Sequence, residues 1–261
     1  MADKLLALED RLAALKASTP ARVFLPTAGA AVATAANLAF QFAHAQARDA
    51  VEDHFDAEAL AEGLRARGLE ALCVESAASS RRAYLMRPDL GRRLCEAAAV
   101  RLSSSAGDYD VVFVVADGLS ARAITAHAFA LLDAALPAFR AKRLKIGPAV
   151  VVSEGRVAIG DEIAEILGAR LVAVLIGERP GLSSPDSLGV YLTFAPRRGR
   201  TDAERNCLSN IREQGMSYAE AAQRLFYLVS EALRRRVTGV ELKDEFSAAM
   251  SCLPGAEDDG D

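Results

Sequence analysis

The chain has 261 residues, 51% of them hydrophobic and 25% charged, with a formal net charge of −4. That is enough apolar material for a sizeable core, and the mild acidity argues against non-specific nucleic-acid binding. No run of about 18 uncharged apolar residues reads as a membrane span, and the start, MADKLLALEDRLAALKA, carries acids where a secretion signal needs an unbroken apolar stretch.

Leu5, Leu8, Leu12 and Leu15 recur at spacings of three and four, which predicts a helix over Asp3–Lys16 with one apolar stripe. Such a stripe suits packing on the chain's own core or on a partner subunit. Ser18-Thr19-Pro20 ends that helix. Ala30–His44 is alanine-rich and helical in character, with Phe40 and His44 one turn apart on one face. A further helix is expected over Ala57–Arg67, ended by Gly68. No strand is predicted before residue 69, so residues 1–60 are expected to form a small helical N-terminal region.

From there strands and helices alternate. Strands are predicted at Leu69–Val74, Asp110–Ala116, Ala149–Ser153, Arg170–Ile176 and Val190–Phe194. Helices are predicted over Pro88–Leu102, from a Ser120 cap to Leu136, over Ile159–Leu167 before Gly168, and over Ser217–Arg236. Ser217 and Glu220 have the spacing of a capping box. Alternation of this kind implies an α/β fold with a mainly parallel, doubly wound (Rossmann-like) sheet over residues 61–246. The acidic end, residues 247–261, is expected to be a disordered tail.

The usual cofactor motifs are missing. There is no GxGxxG after a strand, no GxxxxGK[ST] and no GxSxG. Cys73, Cys95, Cys207 and Cys252 form no CxxC pair and match no zinc spacing, so they read as reduced thiols of a cytoplasmic protein. His44, His54 and His127 are far apart in helical contexts and read as packed or capping residues. The informative residues stand at strand ends. Asp117, Glu154 and Glu178 follow three successive strands, and ligands of open α/β sheets sit beyond such carboxyl ends. Carboxylates there would accept hydrogen bonds from a ligand rich in amide donors, or serve only as solvated turn residues or helix caps.

Several segments carry a family likeness: TPAR at Thr19–Arg22, RRAYLMRPDLGRRL at Arg81–Leu94, ADGLSARA at Ala116–Ala123, GDEI at Gly160–Ile163, GERPGLSSPDSLG at Gly177–Gly189 and TDAERNCLSNI at Thr201–Ile211. With these the chain resembles the light chain (small subunit) of ethanolamine ammonia-lyase over most of its length. The resemblance implies a two-subunit, adenosylcobalamin-dependent enzyme that converts ethanolamine to acetaldehyde and ammonia by radical chemistry. The large subunit would bind ethanolamine, and this chain would close over the corrin. The matched motifs place the cobalamin contacts on Val157, Glu178 and Cys207, with no catalytic or metal-binding residue in this chain. A DxHxxG motif is absent, so the resemblance implies that the cofactor keeps its own dimethylbenzimidazole base. It also offers a second role for the leucine stripe, as a sorting helix for a bacterial microcompartment. Two other classes remain for comparison. One is a stand-alone nucleotide-binding oxidoreductase on a similar sheet, and the other is a purely structural or compartment-targeting protein.

Overall fold

The computed structural model describes residues 11–19 and 21–246. The expected acidic tail and the first part of the leucine-striped helix lie outside them; residues 11–17 are helical. Two short strands, β1 (Thr27–Ala28) and β2 (Ala31–Val32), pair antiparallel around Gly29. This hairpin takes the place of the first residues of the helix expected at Ala30, and α1 runs instead over Thr34–Glu52. Phe40 and His44 stack on it as their spacing predicts, with ring centroids 6.4 Å apart.

The remaining elements follow in order: α2 (Ala57–Ala66), β3 (Ala71–Glu75), α3 (Arg81–Met86), α4 (Glu96–Ser103), β4 (Val112–Ala116), α5 (Ala121–Ala141), β5 (Ala149–Ser153), α6 (Ile159–Leu167), β6 (Leu171–Gly177), β7 (Leu188–Phe194), β8 (Asn206–Ile211) and α7 (Tyr218–Arg235). The Ser120 cap accepts from the Ala123 N–H, and Gly168 closes α6 in the left-handed region. The Ser217 hydroxyl accepts from the Glu220 N–H at 3.2 Å, but the Glu220 carboxylate turns to Arg224 instead of closing the box.

One six-stranded sheet runs β3-β5-β4-β6-β7-β8. Its first four strands are parallel, as the alternation implies, while β7 and β8 are added antiparallel, so the sheet is mixed. Alternate residues of each strand feed two cores. Phe113, Val115, Val151, Ala173 and Leu175 pack under α2, α5 and α7. Val112, Val114, Val150, Val152 and Val174 pack under α4 and α6. Burial on both faces explains the unbroken apolar runs of β4 and β6. At about 1.5–3 kcal/mol per fully buried large side chain, these two layers are the main source of stability.

The connections decide where a site can form. The β3→β4 and β5→β6 crossovers pass over the α4/α6 face, while β4→β5 passes over the α5 face in the opposite direction. All three thereby keep one hand. The neighbouring strands β4 and β5 therefore leave the sheet towards opposite faces, which opens a crevice beyond their carboxyl ends.

One expected helix is divided. Pro88–Leu102 is a 3-10 turn at Leu90–Arg92 followed by α4. Between them Leu94 bridges to Ser76 of the β3 edge and gives its N–H to Glu162 at 3.1 Å. Tertiary pairing outcompetes the local helical pattern there. Among the described residues no helix is long and apolar enough to cross a membrane.

Candidate functional site

Just beyond the sheet's carboxyl edge lies a cavity of about 360 Å³. Leu119, Val157, Ile176, Glu178 and Tyr191 are among its walls, with Tyr84 and Arg156 at one side. Its floor depends on a close approach. Gly177, the last residue of β6, lies so near the loop after β4 that a Cβ there would sit 2.0 Å from the Ser120 carbonyl oxygen. The Leu119 N–H donates to the Gly177 carbonyl at 2.9 Å, which ties the two strand ends together.

Glu178 emerges from this junction half-buried. Its Oε2 accepts from the Ser187 hydroxyl and from the Asn210 N–H at 3.3 Å. The carboxylate pairs with neither Arg179 nor Arg156. It lies across Gly189 of β7, where a Cβ would stand 2.8 Å from Oε1. Oε1 accepts no hydrogen bond among the described residues and remains an open acceptor.

The other two sequence-predicted contacts fall around the same place. Val157, in the turn between β5 and α6, shares the cavity wall with Glu178. Cys207 stands opposite Tyr191 in the β7–β8 ladder, so it borders the cavity through that ring. On this face the helical cover ends near β6, leaving Tyr191 half-buried and Cys207 exposed. Partial desolvation, with the nearby Glu178 charge, pushes the Cys207 thiol above its ordinary value. A thiol shifted in that direction is less readily ionised, which argues against an activated nucleophile.

Asp117 and Glu154 do converge on this edge, but they are not free acceptors. Arg81, from the start of α3, donates through Nη1 to Asp117 at 3.2 Å and to Glu154 at 3.0 Å. Its Nε reaches the Val51 carbonyl at the end of α1, at 2.7 Å. Asp117 is 3% exposed and accepts from the N–H groups of Gly118 and Gly155. Burial, and then the Glu154 charge, push its carboxyl up to about 7. Glu154 is held at φ +56°, a conformation a non-glycine residue adopts at a cost. These two acids thus form an internal clasp between strand ends, and Glu178 alone of the three faces the cavity.

Arg81, Tyr84 and Arg156 have no local signal of their role in the site. Tyr84 is fully buried between the guanidiniums of Arg81 and Arg156, whose central carbons lie 4.8 Å and 4.1 Å from its ring centroid. Burial raises its phenol above the ordinary value, and its hydroxyl donates to the Gly155 carbonyl at 3.3 Å. Arg81 and Tyr84 lie in the RRAYLMRPDLGRRL segment, so their presence was visible but not their reach across the fold. Tyr191 had one usable signal: alternation in VYLTF puts it on the face opposite Val190 and Leu192.

Beneath the site, Arg205 and Asp161 form a buried bidentate pair, both N···O distances 2.7 Å and both side chains 2% exposed. Arg205 also donates to Thr193 of β7 at 2.9 Å. The pair locks α6, and with it Val157, to the antiparallel end of the sheet that carries Cys207.

His127 is buried in α5, with Nδ1 2.8 Å from the Tyr218 hydroxyl and Nε2 3.4 Å from Asp186, as a packed histidine would be.

Residues 9–243 match the family described as ethanolamine ammonia-lyase light chain (EutC). The chain is 56% identical over 260 residues to the ethanolamine ammonia-lyase small subunit of Azotobacter vinelandii, covering 98% of this chain and 96% of that one. It is 54% identical to the small subunit of Xanthomonas campestris, covering 90% and 88%. It is 52% identical to that of Pseudomonas aeruginosa, covering 92% and 89%. The stand-alone oxidoreductase reading is not favoured by these matches. The chain belongs to the ethanolamine ammonia-lyase small-subunit (light-chain) family and is a subunit of a lyase.

Proposed function

We propose that this chain completes the cobalamin site of an adenosylcobalamin-dependent ethanolamine ammonia-lyase. It would do so with a large subunit that carries the ethanolamine site. The observation that supports this most is the cavity at the strand ends, where Val157, Glu178 and the Tyr191–Cys207 pair meet. Its chemistry suits a corrin. Leu119, Val157 and Ile176 offer apolar contact to the ring, and the open Oε1 of Glu178 accepts from a side-chain amide of its rim. Cys207, opposite Tyr191 in the ladder, extends the surface beside this cavity. When bound, adenosylcobalamin supplies the radical chemistry that turns ethanolamine into acetaldehyde and ammonia, while the protein positions it and excludes water.

No residue of this chain is assigned a proton or a bond-breaking role. Glu178 orients, Val157 and Tyr191 shape the wall, and the Arg81–Asp117–Glu154 clasp keeps the strand ends in register. The lyase would work in the cytoplasm, or in a microcompartment where the organism builds one. The leucine stripe is the candidate sorting segment, and deleting residues 1–17 separates sorting from assembly.

The test is co-expression with the large subunit, purification, and spectroscopic titration with hydroxocobalamin, alongside each subunit alone. Tight binding by the complex, with ethanolamine deamination on adding adenosylcobalamin, is the expected result. Ethanolamine turnover by this chain alone, or a complex that binds no corrin, would overturn the assignment.

A further inference from the structure

A second concavity of about 730 Å³ adjoins the first and shares Arg156 and Val157 with it. Six arginines and two aspartates line it, in a chain whose overall charge is −4. Most of this charge is spoken for. Arg198 pairs with Glu162, Arg200 with Glu204, and Arg205 with Asp161, while Asp89 pairs with Arg87. Arg92, Arg93 and Arg156 make no ion pair among the described residues.

Arg156 is held ready by its surroundings. Its guanidinium stacks on Tyr84, its backbone N–H donates to the Gly91 carbonyl at 2.7 Å, and its Nε is buried without a hydrogen-bond partner. The Nε of Arg205, on the same groove, is instead ion-paired with Asp202 at 3.5 Å. An orphaned guanidinium nitrogen on Arg156, beside the unpaired Arg92 and Arg93, calls for an anion with several acceptor oxygens. A phosphate ester fits best, because its oxygens match the guanidinium fork.

We propose that this groove is a phosphate subsite, and that Arg92, Arg93 and Arg156 take the phosphodiester in the nucleotide tail of the corrinoid bound next door. The proposal rests on the cobalamin reading above. A corrin seated against Val157 and Glu178 carries its tail phosphate a short distance from the ring, and the groove opens at that wall. Arg156, common to both concavities, links the ring contacts to the phosphate contacts.

The experiment is titration of the two-subunit complex with hydroxocobalamin and with dicyanocobinamide, which has a corrin ring but lacks the nucleotide and its phosphodiester. The variants are Arg92→Gln/Arg93→Gln, Arg156→Gln and Arg156→Lys, with assembly checked by size exclusion. The Arg92→Gln/Arg93→Gln variant is expected to weaken hydroxocobalamin at least tenfold and to leave cobinamide within twofold. Arg156→Gln, which also lines the ring cavity, is expected to weaken hydroxocobalamin at least tenfold more than cobinamide, with a smaller difference for Arg156→Lys. Added salt should weaken hydroxocobalamin more in the wild type than in the Arg92/Arg93 variant. Equal effects on both corrinoids, or no effect on either, overturn the phosphate assignment alone. Binding of inorganic phosphate by the wild-type complex but not by the Arg92/Arg93 variant, with the two corrinoids responding alike, makes the groove an independent phosphate site and also overturns it. A wild-type complex that binds neither corrinoid overturns the cobalamin reading itself.

Discussion

Replacing Glu178 by glutamine separates the internal hydrogen bonds of its carboxylate from the corrin contact proposed for it. Oε2 accepts from both Ser187 and the Asn210 N–H. A backbone N–H cannot reverse its polarity, so the glutamine carbonyl oxygen must occupy the Oε2 position. The NH2 group then falls where Oε1 lies, over Gly189 and facing the cavity. A corrin amide that donated to Oε1 now meets a donor. Losing a hydrogen bond to a charged group costs about 1.5–3 kcal/mol, which is roughly a tenfold to hundredfold rise in Kd. The fold keeps both internal hydrogen bonds, so the stability change should stay within about 0.5 kcal/mol. Spectroscopic titration of the assembled complex with hydroxocobalamin measures the first quantity, and urea unfolding the second. An unchanged Kd in a fully assembled complex would refute the role given to Oε1. A large loss of stability would instead make Glu178 a structural anchor.

Three other perturbations test the frame around it. Gly189→Ala places a methyl 2.8 Å from Oε1; hydroxocobalamin binding should fall as much as in Glu178→Gln, and normal binding would show that the carboxylate is not confined by β7. Asp161→Leu leaves Arg205 buried without its partner and should cost about 3–5 kcal/mol in urea unfolding, whereas Asp161→Leu with Arg205→Leu should recover much of that loss. A single-variant cost below about 1 kcal/mol would deny the pair its locking role. Asp117 provides a pH test: its folded carboxyl, raised to about 7, binds a proton that the unfolded chain releases near pH 4. Its contribution to stability is therefore complete at low pH and is lost as pH rises through 7. Asp117→Asn should lose less stability than wild type between pH 5 and pH 7.5, and an identical slope would place the proton elsewhere.

The sequence was most legible where one principle acted alone. The valine-rich runs at Ala149–Ser153 and in β4 could only be buried strands, and Gly168 and Ser120 marked helix ends by local chemistry. It was least legible where pairing was non-local. In β8 only Leu208 and Ile211 of Asn206–Ile211 are buried, because the strand sits at the sheet edge and its register to β7 shifts between Leu188 and Val190. No alternation survives to announce it. The clasp was hidden for a related reason. Three acids at strand ends looked like one ligand-facing row, but Arg81 reaches them from 36 and 73 residues away in sequence.

The segment GERPGLSSPDSLG shows why an unusual sequence can be legible as a signature before its physics is visible. Gly177 permits the approach of β6 to the Ser120 loop, and Glu178 follows it directly. The Gly181 and Ser184 backbones then exchange hydrogen bonds of 3.0 and 3.2 Å, making a tight reversal. The Pro185 carbonyl accepts from the Ser120 hydroxyl at 2.9 Å, which fastens the returning chain to the start of α5. Ser187 comes back opposite Glu178 and holds its Oε2, while the next-but-one residue, Gly189, leaves space for Oε1. Gly177, Ser187 and Gly189 are thus set by the placing of one carboxylate. Loosening any of them should act on cobalamin through Glu178, so Ser187→Ala and Gly189→Ala should each add little to the binding loss already caused by Glu178→Gln. Additive losses would mean that the loop meets the ligand by some other route.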